Sequence, residues 1–252
     1  MNRFDMSGKV AVVNGASRGI GEAIAKGLAE CGALVVVSSR SQEGVQKVAD
    51  EIIASGGKAV AKACHAGRLD DIDALFEFVK NEFGRLDILI NNAATNPYFG
   101  PATDLSPKAF DKTVEVNLKG PYFMLARAVP LMVESGGGSV VNVASIAALV
   151  SLPGQAVYSM TKAGLISITK SFAKEYGKQG IRVNAILPGV VETRLASALV
   201  ADPGVQKWLS GLPAGRAGQP HEMVAGVLYL VSDQAAYTTG TTLVMDGGAT
   251  LG

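Results

Sequence analysis

The residues best suited to acid–base chemistry stand four apart in Tyr158-Ser159-Met160-Thr161-Lys162. In a helix, positions i and i+4 share a face, so the phenol and the ammonium point to one spot. A free tyrosine has a pKa of about 10, too high for proton transfer at neutral pH. A cation close to the phenol favours the phenolate and would bring that value down. A phenol so tuned can give a proton to a carbonyl oxygen as hydride reaches the carbon. Upstream, Val143-Ala144-Ser145 ends a strand-like run, and the Ser145 hydroxyl could hold the same oxygen. Asn117 is a polar interruption of the apolar pattern Val114–Leu118. Taken singly, each has a plainer reading: a helix-surface phenol, a turn residue, a satisfied core amide.

A hydride donor needs a seat. Asn14-Gly15-Ala16-Ser17-Arg18-Gly19-Ile20-Gly21 follows the first strand-like run and opens a helix pattern. Its glycines permit a tight turn, close approach of backbone to a pyrophosphate, and close helix–strand packing. The helix start adds free N–H groups and a positive dipole end. The spacing is GxxxGxG rather than GxGxxG, so its position between strand and helix carries the reading. The second run ends Val37-Ser38-Ser39-Arg40, with no carboxylate for a ribose diol. Ser39 and Arg40, with Arg18 able to approach, suit a 2′-phosphate that guanidinium grips bidentately. NADP(H) is therefore expected, and no metal.

Apolar runs at Val10–Val13, Leu34–Ser38, Ala59–Ala63, Ile88–Ile90, Ser139–Val143, Val183–Leu187 and Thr242–Met245 must position these groups. They lack polar alternation, as strands covered on both faces do. Between them lie helical patterns at Ile20–Cys31, Val45–Ala54, Asp71–Phe83, Phe110–Val133, Ala156–Tyr176 and Glu222–Val231. The alternation predicts one α/β domain over 1–252: a doubly wound Rossmann-type fold with a seven-stranded parallel sheet and helices on both faces. The stretch 193–216, with Leu195, Leu199, Trp208, Leu209 and Leu212, breaks the rhythm. It reads either as a lid over a ligand site or as a surface helix pair.

Composition narrows the function classes. The 252 residues are 48% hydrophobic with a formal net charge of +1, which excludes disorder and leaves no basic stripe for nucleic acid. Cys31 and Cys64 form no CxxC pair, which favours a reducing compartment. No signal peptide, membrane span or terminal targeting tripeptide is read, so a cytoplasmic protein is expected.

Together these residues resemble the short-chain dehydrogenase/reductase superfamily, in its branch with an Asn-Ser-Tyr-Lys tetrad. The likeness spans nearly the whole chain: the glycine turn, Asn91-Asn92-Ala93-Ala94, Asn117, Ser145, Tyr158 with Lys162, Pro188-Gly189 with Thr193, and Asp246-Gly247-Gly248. It implies Tyr158 as proton donor, Lys162 lowering its pKa and binding the nicotinamide ribose, Ser145 polarising the carbonyl, and Asn117 holding a water linked to Lys162. Gly15, Ser17, Arg18, Gly19, Ile20 and Gly21 would cradle the phosphates. Asn92 and Ala93 would line the adenine ribose, and Pro188, Gly189, Val191 and Thr193 the nicotinamide. Departures are Asn14 for Thr, which should still hydrogen-bond locally, Ala94 for Gly, and Ser39 for the acid of NAD-type members. His65 stands where an adenine-contacting Asp is usual and reads either as that contact or as a neutral loop histidine. Asn92–Gly100 with Cys64–Gly67 further resembles the NADPH-dependent carbonyl/retinal reductases of animal peroxisomes and their bacterial relatives.

The resulting expectation is an NADPH-dependent reductase of a hydrophobic or aromatic ketone or aldehyde. Its pocket would be drawn from Asn96–Phe99, Leu149–Gly154 and the 193–216 stretch. One rival is a 3-oxoacyl-acyl-carrier-protein reductase, docking its carrier through a basic patch with Arg127 and Lys170. The other is a protein that binds NADP(H) for regulation without catalysis. The apolar breadth of 110–133 and 156–176 implies burial against a partner, and the resemblance implies a homotetramer.

Overall fold

The computed structural model describes residues 4–251. Seven parallel strands lie in the order β3-β2-β1-β4-β5-β6-β7. They are β1 (Val10–Asn14), β2 (Leu34–Ser39), β3 (Lys58–Ala63), β4 (Ile88–Asn91), β5 (Gly138–Val143), β6 (Ile181–Pro188) and β7 (Thr242–Met245). All seven expected runs are strands, five of them extended by one residue and β6 by three. Strand order reverses beside β1, which pairs Asn14 with Ser38 of β2 on one side and with Asn91 of β4 on the other. Open α/β sheets bind ligands at the carboxyl ends of strands at such a point.

Alternate residues of each strand feed opposite faces, as the two-residue repeat demands. Ala11 and Val13 join a core with α1 (Gly19–Glu30), α2 (Gln42–Ala54) and α9 (Val224–Val231). Val10 and Val12 join a second core with α3 (Leu69–Phe83), α5 (Gly120–Glu134) and α6 (Ala156–Tyr176). The expected doubly wound architecture is the one observed.

The pattern at 110–133 is not one regular helix. α4 (Pro107–Val114) passes through a π-helical turn at Glu115–Lys119 into α5. Pro121 explains the irregularity, because it has no N–H for the Asn117 carbonyl four residues back. Gly120 instead donates to the Glu115 carbonyl, one residue further than an α-helix reaches. The 193–216 stretch contains α7 (Ser197–Ala201) and α8 (Pro203–Ser210). It buries Leu209 but leaves Leu195 and Trp208 exposed. Among the described residues no helix is long and apolar enough to cross a membrane.

Candidate active site

The glycine turn connects β1 to α1 under tight steric limits. Gly15 has φ +79°, and a Cβ there would come within 2.6 Å of the Ala93 backbone. A Cβ on Gly21 would collide with the Gly15 carbonyl and the Asn92 amide. Asn92 belongs to the same construction, since its Nδ2 donates to the Gly15 carbonyl at 2.9 Å. Its side chain is therefore spent on shaping the turn that sequence reasoning gave to phosphates. Thr193 abuts this turn as well, its methyl 3.2 Å from where a Gly19 Cβ would stand.

At the ends of β1 and β2, three buried oxygens have no partner: Asn14 Oδ1, Ser38 Oγ and Ser39 Oγ. Buried polar groups are nearly always satisfied, so a cluster of unsatisfied ones at a strand-end crevice marks a place for a polar ligand. Asn14 makes only long contacts through Nδ2, at 4.0 Å to Cys64 Sγ and 3.9 Å to Met124 Sδ, so the local hydrogen bonding expected of it is weak. Arg18 and Arg40 are exposed beside this point, and neither forms an ion pair among the described residues. The donor set fits a phosphorylated dinucleotide.

His65 is bound within its own loop. Its Nδ1 accepts from the Gly67 N–H at 3.0 Å, and its Nε2 lies 3.0 Å from Lys112 Nζ. Burial, then the Lys112 and Arg68 charges, holds its pKa below the ordinary value, so the ring is neutral at pH 7. Val191 is buried in the core, which leaves only its backbone for a cofactor. Pro188 ends β6 and Gly189 donates to the Met245 carbonyl at 3.1 Å, placing both at the carboxyl edge of the sheet.

The structure brings Ser145, Tyr158 and Lys162 together. Ser145 follows β5 in extended conformation and caps a short turn, its Oγ accepting from the Ala147 N–H at 3.1 Å. Tyr158 and Lys162 lie in the first two turns of α6, with Lys162 Nζ 5.6 Å from the phenol ring centre. Lys162 is 2% exposed and donates to the Val143 carbonyl at 2.8 Å. A ladder of buried amides ties α6 to the sheet: Asn91 Nδ2 to Asn142 Oδ1, and Asn142 Nδ2 to Thr169 Oγ1, both 2.9 Å. That ladder escaped sequence reasoning, although Asn142 inside an apolar strand is a visible signal.

The electrostatics differ from the sequence expectation. Burial raises the Tyr158 pKa, and a hydrogen bond with Ser145 offsets this only in part. No lowering by Lys162 accompanies it, for two physical reasons. The ammonium stands over the ring, bonded to a carbonyl. Burial also pushes Lys162 itself down to about 8, weakening it as a source of charge. In the polypeptide alone Tyr158 is a firmly protonated acid, not an abnormally acidic one.

The Asn117 side chain is committed to a neighbouring loop. Its Oδ1 accepts from the Thr95 N–H and its Nδ2 donates to the Thr95 carbonyl, each at 2.8 Å, with Thr161 Oγ1 at 3.4 Å. The side chain clamps the 92–97 loop to α6 and has no amide to spare for a water. Pro121 leaves its backbone carbonyl without an i+4 N–H donor.

Beside Tyr158 a small cavity of about 10 Å³ is lined by Asn96, Tyr98, Thr113, Gln155 and Val157. The Gly100 N–H donates to the Gly154 carbonyl at 3.1 Å, which joins the two loops over it. Of the expected pocket residues, Asn96, Tyr98 and Gly154 line it, whereas Phe99, Leu149 and Val150 are exposed. Gln155, Thr113 and Leu105 line it without having been singled out from sequence.

Comparison with known proteins agrees with this geometry. Residues 15–250 match the family model described as enoyl-(acyl carrier protein) reductase. The chain is 40% identical over 248 residues to dehydrogenase/reductase SDR family member 4 of Oryctolagus cuniculus, covering 98% of this chain and 95% of that one. It is 37% identical over 249 residues to cyclohexanol dehydrogenase of an Acinetobacter species, covering 99% and 97%. A gluconate 5-dehydrogenase of Burkholderia cenocepacia, solved with NADP and tartrate, superposes with a TM-score of 0.96 at 31% identity, covering 100% and 98%. The chain belongs to the short-chain dehydrogenase/reductase superfamily of NAD(P)(H)-dependent oxidoreductases.

Proposed function

We propose that the chain reduces a hydrophobic, often aromatic, ketone or aldehyde to the alcohol, with NADPH as the preferred cofactor. The observation that carries this reading is the meeting of Tyr158, Ser145 and buried Lys162 beyond the end of β5, on the same edge of the sheet as the unpartnered Ser38 and Ser39 oxygens at the end of β2. NADPH supplies the hydride when bound. The Ser145 hydroxyl orients the carbonyl oxygen and Tyr158 delivers the proton to it. Lys162 holds the nicotinamide ribose and, through a water on the Asn117 carbonyl, returns a proton from solvent. The glycine turn, with Ser17 and Ile20, receives the pyrophosphate, and Arg18, Ser39 and Arg40 receive the 2′-phosphate. The exposed Phe99, Leu149, Val150, Leu195 and Trp208 form the apolar mouth, and 193–216 closes over it as a lid.

Rapid NADPH oxidation with aryl ketones, and slow oxidation with small hydrophilic ones, is the expected outcome of an activity panel; the reverse order contradicts the reading. Arg40→Asp should raise the KM for NADPH by about 10- to 100-fold while changing that for NADH little, since a charge-assisted pair is lost from the 2′-phosphate alone. Equal effects on both cofactors would remove Arg40 from that site.

The matched family model's description keeps the acyl-carrier reading in view. Against it, Arg127 is not free to dock a carrier, because its Nε lies 2.6 Å from Asp73 Oδ1. Faster turnover of a 3-oxoacyl carrier thioester than of any simple ketone would restore it. On the outer face of α5 and α6, an apolar cleft of about 430 Å³ is lined by Tyr122, Val129, Val133, Phe172 and Tyr176. A second copy covering it would extend to the homotetramer, which light scattering checks directly; a monomer contradicts it.

A further inference from the structure

Asp246-Gly247-Gly248 directly follows β7 and takes part in none of the steps above. The Asp246 carboxylate closes a tight turn, accepting from the Gly248 N–H at 2.8 Å, the Thr250 N–H at 2.9 Å and the Thr250 hydroxyl at 2.7 Å. Gly247 and Gly248 stand at φ +64° and +87°, where any side chain is strained. Both also face the end of the 193–216 stretch. A Cβ on Gly247 would come 2.8 Å from the Ala214 Cβ, and one on Gly248 would come 2.6 Å from the Pro213 ring. The other flank of the turn touches the segment expected to hold the nicotinamide, since a Cβ on Gly189 would come 2.9 Å from Asp246 Cα.

The stretch 193–216 leaves and rejoins the molecule at adjoining points. The Glu192 N–H donates to the Gly218 carbonyl and the Gly218 N–H to the Val190 carbonyl, each at 2.9 Å. Between those feet, the bond from the Ala214 N–H to the Gly247 carbonyl at 3.0 Å is the one main-chain hydrogen bond to the rest of the molecule among the described residues. No flexible side chain cushions this contact. One side is glycine backbone, and the other is a proline ring and an alanine Cβ. A close-packed contact of that kind transmits displacement instead of absorbing it. We propose that the turn Asp246–Thr250 is the bearing on which the lid stands: Gly247 and Gly248 are positioning residues that set where Pro213–Ala214, and α8 before them, stand over the ketone. This assignment rests on the lid reading above. A Cβ at Gly248 has its three nearest neighbours in Pro213, so it would displace the lid and spare the cofactor segment.

Trp208 is the sole tryptophan of the chain and lies on α8, so its emission reports the lid alone. In the wild type, acrylamide should quench Trp208 less in the dead-end complex with NADP+ and acetophenone than in the free enzyme. Gly248→Ala should lose most of that protection and about tenfold in kcat/KM for acetophenone, with KM for NADPH kept within about twofold, because a small misplacement far from the chemistry is costly. Gly136→Ala is the matched control. Gly136 has φ +91° and nothing within 4 Å of where its Cβ would stand, so the variant carries the backbone strain without the contact. It should lower the melting temperature about as much, yet leave Trp208 protection and acetophenone kinetics at wild-type values. Equal behaviour of the two variants, or an equal loss for NADPH and acetophenone in Gly248→Ala, overturns the assignment. Should Gly248→Ala not fold, Pro213→Ala removes the ring from the same contact and should shift both readouts in the same direction; wild-type behaviour of Pro213→Ala overturns the assignment. Protection in the wild type that survives in Gly248→Ala overturns the bearing alone. Absence of protection in the wild type overturns the lid reading, and the bearing with it.

Discussion

Tyr158→Phe should reduce ketones at least about 100-fold more slowly than the wild type while binding NADPH with little change, because general-acid catalysis contributes roughly 10²–10⁴-fold. The substitution removes one oxygen and keeps the ring. The buried amide ladder through Asn91, Asn142 and Thr169 that seats α6 is untouched. The fold should therefore survive, and the loss should fall on kcat, since the missing proton matters only as charge develops on the carbonyl oxygen. Stopped-flow decay of NADPH absorbance with a saturating ketone reads the effect. The same variant separates catalysis from mere dinucleotide binding, because undiminished turnover would show Tyr158 to be a bystander.

Lys162→Met should be about as damaging to turnover, yet neutral or favourable to stability. The ammonium is almost fully buried, has a single carbonyl partner and faces no carboxylate, so folding around it carries a desolvation cost. That cost is legible in its pKa of about 8, well below the ordinary lysine value. Between about pH 8 and the unfolded value of about 10.5 the unfolded chain holds the extra proton, so wild-type stability rises with pH there. Below pH 8 both states are protonated and the penalty is complete. The melting temperature of Lys162→Met minus that of the wild type should thus be largest below pH 8 and shrink towards pH 10.5. A difference that grows with pH would contradict the burial account. Sites that give up stability for function behave in this way.

Much of this was written in local sequence. Strands covered on both faces leave unalternated runs such as Val35-Val36-Val37, and every one of the seven is a strand. The glycine turn and the Tyr158/Lys162 pair stand where their local patterns put them. What escaped depends on three-dimensional company. The π-helical turn at Asn117 follows from Pro121, which helical periodicity overlooks because both flanking segments keep their apolar faces. Asn117 reads as catalytic, yet its amide is claimed by Thr95, a partner 22 residues away. The direction of the Tyr158 shift was misread because spacing reports who is adjacent, whereas burial decides which protonation state is favoured. Gln155 was missed because its place beside the Tyr158 cavity depends on loops distant in sequence.

A crystal structure of the enzyme with NADPH and a ketone analogue tests the central claim most directly. The nicotinamide ring should lie between the end of β6 and Tyr158, with Tyr158 Oη and Ser145 Oγ both within hydrogen-bond distance of the analogue's oxygen and Lys162 on the ribose. A dinucleotide seated away from the 15–21 turn, or a Tyr158 hydroxyl turned from that oxygen, would contradict it.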